Sequence, residues 1–171
     1  MLRRPERDEY AHYFDYYVGL VPEGELQTIL TQQGESVVAL FSSLAQEQIE
    51  YRYAPGKWTV KEVLGHLVDS ERIMSYRLLR IARGDKTPLI GFDENAFVEG
   101  ALYQQRELSD LIEEYKAVRS STVAQVRGIS PEAWLRTGLA NGNQLSARTL
   151  AYVIAGHEAH HCKILKERYL G

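Results

Sequence analysis

Cysteine is nearly absent: Cys162 is the single one, so no internal disulfide can form, and the chain suits a reducing, cytoplasmic setting. Long apolar runs are missing too. No stretch approaches the ~18 residues of a membrane span, and Met1–Asp8 carries charge with no apolar segment behind it, so neither membrane nor export signal is expected. Nor is there an excess of positive charge. The formal net charge of −3 offers no basic face for nucleic acid. Repeats and low-complexity linkers are lacking, as are a P-loop, a Gly-rich dinucleotide fingerprint and a nucleophilic-serine elbow. What remains is an ordinary composition, 44% hydrophobic and 25% charged, with 11 tyrosines. The 171 residues read as one domain, 1–171, with residues 1–22 as an N-terminal lead-in.

Apolar spacing predicts four long helices, over 25–48, 60–83, 105–127 and from Ser146 to the C-terminal region. Thr59 with Glu62 has the form of a capping box, Ser130-Pro131 opens a short helix around Trp134, and Gly128 and Gly84 mark stops. The tyrosine-rich residues 7–18 form a short helix over the body. Residues 85–103 form a long crossover, and Asn141-Gly142-Asn143 a turn. No strand is expected. The fold class is therefore all-α, a four-helix bundle.

Three of the five histidines fall within His157-Glu158-Ala159-His160-His161. His157 and His161 lie about 40° apart on a helical wheel, inside the stripe of Leu150, Val153, Ile154, Ile164 and Leu165; His160 lies on its flank. A buried imidazole without a partner costs a few kcal/mol, and a divalent ion is the partner this spacing suits. His66 is the best third ligand, being the other histidine inside a long amphipathic helix; His12 reads as surface. The same string matches H-E-x-x-H, but ten residues follow His161 and the extended metalloprotease form is absent. Asp69 and Glu158 are candidates to orient an imidazole by hydrogen bonding. Glu71 sits in an apolar stripe and is expected to pair with Arg77, Arg119 or Arg148. Otherwise Arg148, Lys163, Lys166 and Arg168 read as solvated charges, and Cys162 as packing.

Trp58-Thr59-Val60-Lys61-Glu62-Val63-Leu64-Gly65-His66-Leu67-Val68-Asp69-Ser70-Glu71 resembles the W-S/T-x-x-E/Q-x-x-x-H-L/V-x-D-S/A-E stretch of the DinB/YfiT-like superfamily. His157-x-x-x-His161 resembles its second motif, and the likeness covers about residues 25–170. The resemblance implies an up-down-down-up bundle with a long crossover between helices 2 and 3, working as a homodimer. It implies one divalent ion, zinc or nickel, on His66, His157 and His161, and a small-molecule substrate. Similar proteins include thiol S-transferases using bacillithiol or mycothiol and a mycothiol-dependent maleylpyruvate isomerase. The expected function is thus transfer of a low-molecular-weight thiol to a small electrophile. The alternatives are a metal-dependent hydrolase, or a stress-related binding or dimerisation module with a structural metal. Many relatives continue the second motif with R-G-Q; here Cys162-Lys163-Ile164 stands instead, so the choice of thiol does not carry over.

Overall fold

The computed structural model describes residues 2–171. Its helices are α1 (Asp15–Leu20), α2 (Leu26–Ser42), α3 (Gln46–Glu50), α4 (Val60–Ala82), α5 (Glu94–Ala101), α6 (Leu108–Arg127), α7 (Pro131–Trp134) and α8 (Ala147–Ile164), the last widening into a π-helical turn at Leu165–Tyr169. Local chemistry explains the starts. Thr59 accepts from Glu62 N while Glu62 returns to the Thr59 backbone, Ser146 accepts from Thr149 N, and Ser130 precedes Pro131 at the head of α7.

The four long helices are α2, α4, α6 and α8. Around the bundle the order is α2–α6–α4–α8, so helices consecutive in the chain are not all neighbours. Cross-helix contacts fix the directions. Lys61 reaches Arg106 O and Gln125 reaches Ser75 O, so α4 and α6 run parallel. Arg119 packs on Gly34 and donates to Leu30 O, while Gln27 lies near Arg127, so α6 opposes α2. Trp58 O accepts from Tyr169 while His66 meets His157, so α4 opposes α8. The bundle is up-down-down-up. The parallel α4 and α6 require the long connection between them, which contains α5 and a 3-10 turn.

Three expectations need correction. Residues 137–146 form a hairpin, β1 (Thr137–Ala140) and β2 (Asn143–Ser146), antiparallel, with Thr137 opposite Ser146. Its strands are four residues long and poor in β-branched side chains, so only the Asn-Gly turn, with Asn141 and Gly142 both at positive φ, was visible beforehand. The hairpin is also a strap: Leu89 N donates to Leu139 O, Asn141 N to Leu89 O, and Tyr10 bridges Leu145. The helix expected over 25–48 stops at Ser42 and restarts at Gln46. The lead-in is 3-10 turns at Arg7–Glu9 and His12–Phe14 followed by α1.

Two apolar clusters fill the bundle. One contains Leu30, Leu78, Ile81, Leu150 and Ile154; the other Phe41, Leu64, Leu111, Tyr115 and Leu165. Between them lies a polar knot at the waist. Arg119 of α6 donates to Leu30 O of α2, to Glu71 of α4 and to Glu158 of α8, and Tyr115 donates to Glu158. One guanidinium therefore ties all four long helices. Glu71 takes the second of the three arginines proposed for it. Gly34 makes the approach feasible, because a Cβ there would lie 2.9 Å from Arg119 Cγ.

Candidate metal centre

Between α4 and α8 three imidazoles converge. His157 Nε2 lies 3.1 Å from His66 Nε2 and 3.2 Å from His161 Nε2. One ring nitrogen from each falls within 4.8 Å of the other two, and among the described residues no fourth histidine, cysteine or carboxylate joins them. A tetrahedral ion with metal–nitrogen bonds of about 2.0–2.1 Å holds neighbouring nitrogens about 3.3–3.4 Å apart. The observed spacings are close to that edge, so the donor set fits one ion. Antiparallel α4 and α8 bring His66 to the pair that one turn of α8 presents.

The rings are ready to ligate. Burial holds His66 down at about 4, with His160 adding to the effect. Burial and the His66 and His160 rings hold His161 at about 3. His157 lies well below its ordinary value, through burial first and then its three histidine neighbours. All three are neutral at pH 7, as metal binding requires.

The surroundings are aromatic. The Trp58 ring lies 4.6 Å from His66 and stacks at 6.5 Å on His161, covering one side. Tyr17 of α1 lies 5.9 Å from His157 on the other. α1 gets this close because residue 156 is glycine: a Cβ there would fall 2.0 Å from Tyr17 O. His160 points away from the cluster to Tyr16, 3.2 Å from its hydroxyl.

The two orienting carboxylates are not found in that role. Asp69 accepts from the Tyr103 hydroxyl. Glu158 faces Arg119 and Tyr115 across the knot, and burial raises its pKa despite the offsetting pull of Arg119. Ser70 Oγ sits 3.4 Å from both Nδ1 and Nε2 of His66, packed against the ring. Arg148 is not a solvated charge either; it donates from Nε to Glu9 at 2.9 Å, clamping the lead-in. Tyr17 beside the histidines was missed; its signal was Gly156, a glycine inside a long helix directly before a histidine.

An up-down-down-up bundle with three histidines between its antiparallel second and fourth long helices is a defined class of protein. The sequence model of the DinB superfamily matches residues 29–165, and the chain belongs to that superfamily. Its fold is similar to that of YfiT from Bacillus subtilis, described as a probable metal-dependent hydrolase (TM-score 0.71, 18% identity, 95% of this chain and 90% of that one). It is similar to a mycothiol-dependent maleylpyruvate isomerase (TM-score 0.65, 15% identity, 80% of this chain), of which it spans 58%. It is also similar to the DinB-like protein YjoA of Bacillus subtilis (TM-score 0.60, 19% identity, 84% of this chain and 87% of that one). Among curated proteins, none matches this sequence. No helix among the described residues is long and apolar enough to cross a membrane.

Proposed function

We propose that the chain is a metal-dependent enzyme that joins a low-molecular-weight thiol to a small electrophile. His66, His157 and His161 would hold one divalent ion, zinc or nickel. The observation that carries this reading is the convergence of three neutral imidazole nitrogens with no fourth histidine, cysteine or carboxylate joining them among the described residues, which leaves room for an exogenous ligand. A bound divalent ion ionises a coordinating thiol without help from a base. Two carboxylates on the ligand-bearing helices are engaged, Glu158 by Arg119 and Tyr115 and Asp69 by Tyr103, while Glu94 lines the cavity beside His157. The same ion would also acidify a bound water, so thiol dependence is the measurement that separates transfer from hydrolysis. Trp58 and Tyr17 flank the histidines and restrict water. The likeness to YfiT, described as a probable metal-dependent hydrolase, keeps hydrolysis as the second reading.

Metal analysis of untagged protein tests the site. Near-stoichiometric zinc or nickel is expected, lost in His157→Ala and His161→Ala; wild-type protein that is metal-free and cannot be reloaded refutes it. Loss of a model electrophile such as monochlorobimane is expected only when a thiol is supplied. Turnover without thiol would point to hydrolysis. The homodimer is part of the same proposal, and light scattering reads it.

A further inference from the structure

A cavity of about 150 Å³ opens beside His157. Its walls come from α1, α4, the crossover, the hairpin turn and α8, and its polar lining includes Tyr17, Ser70, Arg77, Glu94, Asn141 and Asn143. Ser70, Met74 and Arg77 continue the face of α4 that carries His66, at helical steps of four, four and three residues. Along that face a path leads from the histidines to a guanidinium.

Arg77 is in an unusual situation for a half-buried cation. Among the described residues no carboxylate forms an ion pair with it. One Nη donates to Ile90 O at 2.7 Å, and the guanidinium carbon lies 5.9 Å from the centre of the Phe92 ring. Burial pushes its pKa down, with no counter-charge to offset it. The wall behind it is fixed, because Leu89 is hydrogen-bonded on both sides to the hairpin. Glu94 lines the same cavity but is exposed and unpaired with Arg77.

We propose that Arg77 seats the carboxylate of the substrate, so that the molecule turned over at the histidines is a small organic monocarboxylate. This rests on the reading of the histidines as the reaction centre. A guanidinium presents parallel N–H donors that match a carboxylate, and the Asn141 and Asn143 amides stand at the same cavity. A single cation with Glu94 nearby disfavours a phosphate dianion. The volume equals that of about five waters, which suits an acid of a few carbons rather than a large conjugate.

Crotonate and its neutral isostere crotonamide test the proposal, with affinities measured by ligand-observed NMR on the full chain as purified and after chelation. Wild-type protein is expected to favour crotonate by about tenfold or more, the range of a hydrogen bond to a charged group. Arg77→Gln should abolish the preference and Arg77→Lys retain part of it, with unchanged metal content and thermal midpoint in both. Equal affinities, no measurable crotonate binding, or an undiminished preference in Arg77→Gln overturns it. The chelated sample separates the two failures: a preference that persists without metal supports the Arg77 seat even where metal analysis refutes the metal centre.

Discussion

Arg119 Nη2 lies 2.6 Å from Glu158 Oε2, and the same nitrogen lies 2.6 Å from Glu71 Oε2. Burial opposes the guanidinium charge, but the two carboxylates outweigh it and raise its pKa. Removing one member of a buried ionic group leaves uncompensated charge and costs about 3–5 kcal/mol. Arg119→Met should therefore lower the thermal midpoint by roughly 6–20 °C at the scaling for a chain of this size. Calorimetry checks it. A loss under about 2 °C would mean that the knot contributes little.

The histidine cluster makes metal-free protein acid-sensitive. His66 and His161 titrate at about 4 and about 3 in the folded chain, against about 6.5 when unfolded. The unfolded state therefore binds more protons below pH 6.5, and stability falls as pH drops from there towards 4. Each histidine contributes a slope of up to about 1.4 kcal/mol per pH unit. Urea unfolding of chelated protein between pH 7 and 4.5 should show this decline. Replacing His66 and His161 together by Gln should reduce the slope, leaving the share of His157.

Asp69→Asn separates two roles for that carboxylate. A partner that orients a metal-bound imidazole typically contributes about 10–100-fold in metal affinity. Here Asp69 bonds Tyr103, so metal affinity in a chelator competition should stay within about twofold, far below that range.

Gly156→Ala should displace α1. The added Cβ would meet the Tyr17 carbonyl at 2.0 Å, and backbone on both sides leaves no flexible atom to yield. Overpacking of this kind costs about 1–3 kcal/mol. Loss of Tyr17 from the histidine cluster should appear as a changed tyrosine fluorescence response to metal. A variant as stable as wild type, with that response intact, would contradict the contact.

The helices were legible because capping residues and apolar spacing agree at Thr59, Ser130 and Ser146. His157 and His161 were legible as a pair because one turn separates them, and His66 because few histidines compete. Partners across the bundle were less accessible. A wheel places Glu158 off the apolar stripe but is silent about Arg119, thirty-nine residues away and on a diagonal helix. The same holds for Asp69: its partner Tyr103 lies on the crossover, whose path the sequence does not specify. The hairpin was hidden because tertiary hydrogen bonds to Leu89, rather than propensity, hold its short strands.

His157 and Glu158 are adjacent on α8, about 100° apart around its axis, one directed to the histidine cluster and one to the knot. α8 is thereby keyed like a shaft with two teeth at different angles. A roll of this helix about its axis, a common small motion in bundles, would disengage both at once. Its angular setting is fixed by both, so the alignment of the imidazoles is held by the Glu158–Arg119 ion pair as well as by their own neighbours.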